Sequence, residues 1–508
     1  MAFNICNMRK IPATMCTQHP DHAGIPYWDK SGDAFISTKE ELEECFSAFS
    51  DLGAEEFMWD WEGKYVDEAV VEKLLMGHLP FFKKNQLGRD IFLTYRIPNI
   101  WAEPEYPLSR AFMTILSFSK LSVDMGFGQS PVFEVILPMT DSAKKMIHIQ
   151  KIFTEFSRVI GKLFGYKNVL DYLSVMPLIE NIDDLMHPEK IFSRYFYLHK
   201  KEYGFFPEYM RVHIARSDPA LNGGLIAAVL AAKAAISQSY AFAAKKKIDI
   251  FPAIGVGSLS FRGACNPHNT SEFIDEYKGV RTVYIQSAFR YDYPLAESKT
   301  AIKIFNKKLK EQEPEMYNKE EISSIEEINK ISSRAYRQTV ERLAPFINKT
   351  SQMVPRRRER RQHIGLFGYS RAIGKKKLPR AIPFTAILYS LGVPPEFIGA
   401  GRAIKKLKSG QVELLQKIYK NFKRDLIYAG RFLNKGNLSE LAKINKAWSG
   451  ITEDIKYLEE FFGCELAPWS NEDMIYRNLT GNALLMLKDK KDISELIVQT
   501  GKYRKSLG

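Results

Sequence analysis

The chain has 508 residues, 45% of them hydrophobic and 26% charged, a composition that excludes disorder for its body and leaves room for one large barrel or two to three domains. Its net charge of +14 suits nucleic acid, a membrane surface or an anionic small substrate. Aromatic residues are not interleaved with the basic clusters RRRERR (356–361) and KKK (375–377) as base stacking requires, so no nucleic-acid partner is expected. Five scattered cysteines without a CxxC pair imply neither a disulfide framework nor a zinc site. The N-terminus has no long apolar region, and no apolar stretch runs unbroken for about 18 residues, so no membrane span and a cytoplasmic setting are expected.

In chain order, strand-like runs recur through the first three hundred residues. They are EEFMWD (55–60), DIFLTYRI (90–97), PVFEVILP (131–138), SVMPLIE (174–180), YMRVHIA (209–215), IDIFPAIG (248–255) and TVYIQSAF (282–289). An eighth, HIGLFGYS (363–370), follows a long interruption. Short runs rich in β-branched and aromatic residues, separated by helical patterns, read as parallel strands covered on both faces. Eight of them predict an α/β fold, a (β/α)₈ TIM-type barrel with many additional helices. The interruption near 300–355 is helical and highly charged and is expected to be a solvated excursion. The run LIAAVLAAKAAISQSYAFAA (225–244), broken by Lys233, reads as a buried Ala-rich helix. From about 386 to 508 the pattern is helical only, with apolar spacings of three and four suited to packing on the barrel or on another subunit. With no linker in between, residues 1–508 read as one integrated domain, about 1–385 being the barrel part.

Several apolar runs stop on a charged side chain: FLTYR at Arg96, SVMPLIE at Glu180, and RVHIARSD at Arg216 and Asp218. In a barrel such strand ends converge on one mouth, where chemistry is done. Arg96 offers a planar two-pronged donor to phosphate or carboxylate, or else pairs with Glu103 or Glu105. Glu180 and Asp218, on adjacent strands, supply the hard oxygens that Mg²⁺ or Mn²⁺ prefers, although Asp218 before Pro219 also suits a helix start. GVGSLSFRG (255–263) is a glycine-rich turn that, with Ser258 and Arg262, can present N–H groups and charge to an anion. His19, in ATMCTQHPDH (13–22), is a candidate proton acceptor, and His22 is too constrained by Pro20 to make a metal pair. Arg371 and Arg380, in GYSRAIGKKKLPRAIPF (368–384), add cations suited to a strongly anionic substrate or form an ordinary solvated loop.

Taken together, TMCTQHPD, RIPN, PLIEN, ARSDPALNGG, VGSLSFRG, IQSAFRYD and YSR…LPRAIPF resemble phosphoenolpyruvate carboxylase of the shorter, archaeal type, over residues 11 to about 404. The longer enzymes' TAHPT is similar to TQHPD, which puts the catalytic histidine on His19. Their PLFET and YSDS resemble PLIEN and RSDP, which puts the metal ligands on Glu180 and Asp218. GSRP and LRAIPW resemble YSRA and PRAIPF, giving Arg371 and Arg380 as anion-binding groups. Gly508 matches the family's glycine ending, whose tail reaches the active site. FHGRGGS is absent, PAIGVGSLSFRG standing in its place, and the lysine after SDS is missing, so a second histidine, an arginine and a lysine lack counterparts.

The resemblance implies Mg²⁺-dependent carboxylation of phosphoenolpyruvate by bicarbonate, giving oxaloacetate and phosphate irreversibly, by way of carboxyphosphate and the enolate of pyruvate. Arg96, Ser258, Arg262, Arg371 and Arg380 are then the substrate-binding set, with His19, Arg262 and Arg380 catalytic. The resemblance further implies a homotetramer and an anaplerotic role. Two other readings remain open at this point: another metal-dependent barrel lyase or aldolase acting on phosphoenolpyruvate or pyruvate, and a basic binding protein using RRRERR and GKKKLPR.

Overall fold

Eight short parallel strands close on themselves: β1 (Thr14–Thr17), β2 (Glu56–Asp60), β3 (Phe92–Arg96), β4 (Glu134–Leu137), β5 (Ser174–Ile179), β6 (Tyr209–Ala215), β7 (Asp249–Gly255) and β8 (Thr282–Ile285). β8 returns to β1 with Thr14 opposite Val283. This is a computed structural model, and it describes residues 9–166, 169–359, 372–373 and 376–508. The predicted (β/α)₈ barrel is present, with one correction to its membership. The first strand is TMCT, which four residues between Pro12 and Pro20 are too few to announce, and the barrel closes without the run 363–370. That run lies outside the described residues.

A barrel interior is filled in layers by alternate strands, and here the floor layer is ionic. Arg211 of β6 points inward, and its Nη1 donates to Glu56 and to Glu134, both at 2.8 Å. Its Nη2 donates to Glu56 at 2.6 Å and to the Thr282 hydroxyl at 3.1 Å. Glu56, Glu134 and Thr282 open β2, β4 and β8, so the even strands are pinned together at one level. Arg9 seals the layer from below: Nη1 donates to Glu134 at 2.9 Å, and the guanidinium lies 4.5 Å and 4.4 Å from the rings of Phe92 and Phe133. Above this floor sits an apolar plug that includes Met15, Met58, Ile136, Met176, Ala253 and Tyr284.

The Ala-rich helix is Ser217–Lys246, and it is buried as expected. By length and composition it is apolar enough to cross a membrane, yet 94% of its most apolar stretch is buried inside the protein. Its one charge in mid-span, Lys233, donates to Glu276 at 2.9 Å. Gly224 (φ 83°) breaks the helix near its start, and the ring of Tyr336 lies where a Cβ would stand. The break frees backbone carbonyls, and side chains replace the lost partners: Tyr336 Oη donates to Leu221 O at 3.0 Å and Arg337 Nε to Asn222 O at 2.8 Å.

Both of those side chains come from Lys319–Thr350, part of the segment expected to be a solvated excursion. That expectation holds for one face only. Ile325, Ile328, Tyr336, Val340, Leu343 and Ile347, at helical spacing, are fully buried against the Ala-rich helix. The charged residues that dominate its composition occupy the other face.

The run RRRERR is only partly turned to solvent: Arg356 is exposed, and Arg360 and Arg361 lie outside the described residues. Arg357 and Arg358 are buried. Arg357 Nε donates to His22 O at 3.0 Å, and Arg358 forks onto Glu44 of the helix Glu41–Ser50, with Nη1 at 2.6 Å. Arg290 Nη2 donates to the same carboxylate at 2.8 Å. Burial works against the charge on Glu44, but Arg358 and Arg290 outweigh it and bring its pKa from 4.5 down to about 2. A depressed carboxylate stabilises the fold fully above its unfolded pKa and loses that contribution as pH falls through the folded value. Between pH 4.5 and 2, Glu44 therefore accounts for about 3 kcal/mol of lost stability. Urea titrations over this range should show a correspondingly shallower fall in Glu44→Gln than in the parent chain.

Candidate active site

The strand ends deliver charged groups to one mouth. Asp60 and Arg96 are the last residues of β2 and β3, and Glu180 follows β5 directly. Asp218 lies in the first helical turn after β6, where a carboxylate also suits the helix dipole. His19 comes two residues after β1, Ser258 and Arg262 lie in the loop after β7, and Gln286 follows β8.

Arg96 does not pair with Glu103 or Glu105. Its Nε and Nη2 form a two-pronged bond to Asp60 at 2.8 Å and 2.6 Å, with Glu62 3.2 Å from Nε. Burial opposes the Arg96 charge, but Asp60, Glu62 and then Glu180 more than offset it, raising its pKa. Glu180 is thus an electrostatic neighbour of Arg96, and it also accepts from Met139 N at 3.1 Å. Asp60 is held ionised against its own burial by Arg96 and Lys64.

The His19 ring sits between these groups. Its Nδ1 is 2.8 Å from the Thr17 hydroxyl. Desolvation, with Arg96, Arg262 and Lys64 adding to it, drives its pKa well below 6.5. The imidazole is therefore neutral at neutral pH and can accept a proton. If Nδ1–H donates to Thr17, Nε2 carries the free lone pair.

Arg262 is the most heavily tied group of the mouth. It is fully buried, and Nη2 donates to Gln286 Oε1 at 2.6 Å while Nε donates to Ser217 Oγ at 3.1 Å. Nη1 donates to the main-chain oxygen of Gly508 at 2.5 Å and lies 3.3 Å from Asp21. Desolvation lowers its pKa, with Asp21 and Asp218 opposing. The loop that carries it is folded into the protein: Gly257 N bonds to Arg262 O, Phe261 N to Glu396, and residues 256–265 are buried. The Ser258 hydroxyl is buried there without a hydrogen-bond partner among the described residues.

Arg380 begins the helix Ala381–Ser390 and is half-buried, with no carboxylate paired to it among the described residues. The same helix packs on Gly508: a Cβ there would stand 2.2 Å from Ile382 O. Arg380 thus enters the neighbourhood of Arg262 by way of the chain's last residue. Arg371 lies outside the described residues.

Sequence reasoning missed Asp60, Lys64, Asp21, Gln286 and His213. Asp60 ends its strand as Arg96 does, and that position was the available signal. His213 points into the barrel between Arg211 and the mouth, its ring 4.2 Å from that of Tyr284. Its Nδ1 is buried without a partner among the described residues, and burial with Arg96 and Arg211 keeps the ring neutral.

Among the described residues no group of three or more His, Cys, Asp or Glu is placed to hold a metal. Two carboxylates on adjacent strands remain the protein's own offer, which fits a hard divalent cation that takes the rest of its shell from substrate and water.

A barrel whose mouth gathers buried arginines, a neutral histidine and a pair of carboxylates is an enzyme for a small, strongly anionic substrate. A family profile described as phosphoenolpyruvate carboxylase matches residues 11–508. Proteins named phosphoenolpyruvate carboxylase from Leuconostoc mesenteroides, Oenococcus oeni and Metallosphaera sedula are 40%, 37% and 39% identical to the chain. These alignments cover 92%, 98% and 99% of this chain and 92%, 99% and 100% of the relatives. The chain belongs to the phosphoenolpyruvate carboxylase family, in its short, archaeal type, and is a carboxy-lyase that fixes carbon dioxide onto phosphoenolpyruvate to give oxaloacetate.

Gly508→Ala should expel the tail from beneath Ile382 and remove an acceptor from Arg262. Because misplacement by about 1 Å can cost roughly 10²-fold in rate, oxaloacetate formation should fall by about that factor with the far-UV spectrum unchanged.

Proposed function

We propose that the site joins bicarbonate to phosphoenolpyruvate through carboxyphosphate, with Mg²⁺ or Mn²⁺ held by Glu180 and Asp218. The observation that carries this is His19 at the strand ends, bonded to Thr17 at 2.8 Å and placed beside the guanidinium groups of Arg96 and Arg262. Bicarbonate attacks the phosphoryl group, giving carboxyphosphate and the enolate of pyruvate. Arg96 through its remaining Nη1, Ser258 through its unpartnered hydroxyl, Arg262, Arg371 and Arg380 bind phosphate and carboxylate oxygens. Arg262 and Arg380 steady the charge that moves between them. His19 then takes the carboxyphosphate proton, which releases CO₂ and phosphate, and the enolate carbon captures the CO₂. The divalent ion, when bound, supplies Lewis-acid stabilisation of the phosphate and enolate oxygens. Arg96 and Arg262 are oriented before substrate arrives, by Asp60 and by the Gln286–Ser217–Gly508 set, and such preorganised donors contribute about 3–4 kcal/mol each to transition-state stabilisation.

His213, on β6, and Lys64, in the loop after β2, supply a second histidine and a buried lysine next to the mouth from elements other than those expected. Lys64 Nζ lies 3.8 Å from Asp60 and 3.2 Å from Gln18. The four described cysteines are free, in keeping with a reducing, cytoplasmic setting. Exposed Trp469, Ile475 and Leu485 at the C-terminal helices give self-association, as a tetramer, an apolar face.

The first measurement is NADH loss through coupled malate dehydrogenase, with bicarbonate and divalent metal omitted in turn. Activity is expected to need both; turnover independent of bicarbonate would point to the other barrel lyases. His19→Asn should retain bicarbonate-dependent phosphate release but yield pyruvate, read with lactate dehydrogenase, and undiminished oxaloacetate would remove His19 from the mechanism. Asp218→Asn should raise the Mg²⁺ concentration for half-maximal rate steeply, and an unchanged titration would rule out ligation there.

A further inference from the structure

The run IQSAFRYD (285–292), which leaves the end of β8, grips the loop that leaves β1 and carries His19 at three points. The two segments are neighbours because β8 closes the barrel against β1. Arg290 Nη2 donates to Thr17 O at 2.6 Å, which pins the loop before His19. Ala288 N donates to the Asp21 carboxylate at 2.9 Å, which pins it two residues after. Further along, Ala23 N donates to both oxygens of Asp292, at 3.0 Å and 2.9 Å, and Gly24 N donates to Oδ1 at 2.5 Å. The third contact is close: a Cβ on Gly24 would stand 2.9 Å from Asp292 Oδ1 and 2.9 Å from Tyr291 O.

The first two grips have other duties, since Arg290 also bonds to Glu44 and Asp21 also meets Arg262. Asp292 does not share its carboxylate in this way. Among the described residues its hydrogen bonds go to Ala23 N and Gly24 N alone, and they reach none of the groups assigned to substrate or metal. A carboxylate that takes two successive main-chain N–H groups fixes the local course of the chain. Upstream of them Pro20 holds its own φ and has no N–H to donate. His19 is attached directly to that stiff residue, so the seat of Asp21–Gly24 sets where the imidazole stands.

We propose that Asp292 is a positioning residue for His19, seating the far end of the β1 loop so that the imidazole meets the carboxyphosphate proton. This rests on the reading of His19 as the acceptor of that proton. Displacing His19 leaves phosphoryl transfer in place, because Arg96, Glu180, Asp218 and Arg262 belong to other strand ends. Carboxyphosphate is then left to water, which splits it into bicarbonate and phosphate. The enolate carbon takes a proton instead of CO₂ and becomes pyruvate, so the net reaction is hydrolysis of phosphoenolpyruvate. Loss of Asp292 is thus read in which product forms.

The experiment follows phosphate, oxaloacetate (malate dehydrogenase) and pyruvate (lactate dehydrogenase) made by the full-length protein from phosphoenolpyruvate, bicarbonate and Mg²⁺. Asp292→Asn sets an amide N–H against a main-chain N–H. Oxaloacetate formation should fall about tenfold or more, within the roughly 10²-fold cost of a 1 Å misplacement, while phosphate release falls less than about threefold. The difference should appear as pyruvate, with KM for phosphoenolpyruvate unchanged. Gly24→Ala disturbs the same contact from the other side, should give the same partition, and serves if Asp292→Asn does not fold. The control is Asp454→Asn: Asp454 also takes two main-chain N–H groups, Gly399 N and Arg402 N, both at 2.8 Å. It should lose stability and still make oxaloacetate alone. Pyruvate from His19→Asn but from neither Asp292→Asn nor Gly24→Ala overturns the positioning role alone, as does pyruvate from Asp454→Asn. Undiminished oxaloacetate from His19→Asn overturns the reading beneath it, and the proposal with it.

Discussion

The mouth of this barrel is organised by the need to keep one buried guanidinium solvated by protein. Arg262 has lost its water, and its charge is fixed, so acceptors must come from wherever the chain can supply them. They come from the β1 loop (Asp21), the end of β6 (Ser217), the end of β8 (Gln286) and the last residue (Gly508). Leu507 N also bonds to Asp21 O, so the tail and the first loop hold each other as well as the arginine. Four distant stretches of sequence are thereby forced into one geometry, and the positions of Asp218 and His19 follow from it.

A comparable constraint governs the other end. Arg211 and Arg9 share Glu56 and Glu134 at the barrel floor, where removal of any one partner would leave a buried charge uncompensated. Between the ionic floor and the ionic mouth lies only the apolar plug with His213 at its upper edge. The barrel is a short apolar insulator between two charged layers.

Much of this was readable from the sequence because parallel strands buried on both faces leave continuous apolar runs, and charged residues that end such runs have one place to go. Arg96, Glu180 and Asp218 were legible on that ground, and seven of the eight strands with them. TMCT was not, because four residues bearing two threonines carry no periodicity. The partner of Arg96 was not legible either, since Asp60 is 36 residues away and only the closed barrel bridges that distance. The family resemblance brought the Gly508 tail to the site but did not name Arg262, 246 residues away, as the group it meets. The burial of Arg357 and Arg358 was illegible for the converse reason. Composition records that Arg357 and Arg358 are charged but not that Glu44 and the His22 carbonyl await them in the interior.

The break at Gly224 has a consequence for how this protein can change. Asp218 rides on a short turn of its own, sealed off from the Ala-rich rod by a backbone discontinuity and steadied by Tyr336 and Arg337 from another helix. Repacking along the rod, which any drift in the core will demand, is absorbed at the break instead of being transmitted along a rigid cylinder. The core is thus free to evolve while the aim of one carboxylate stays where it is.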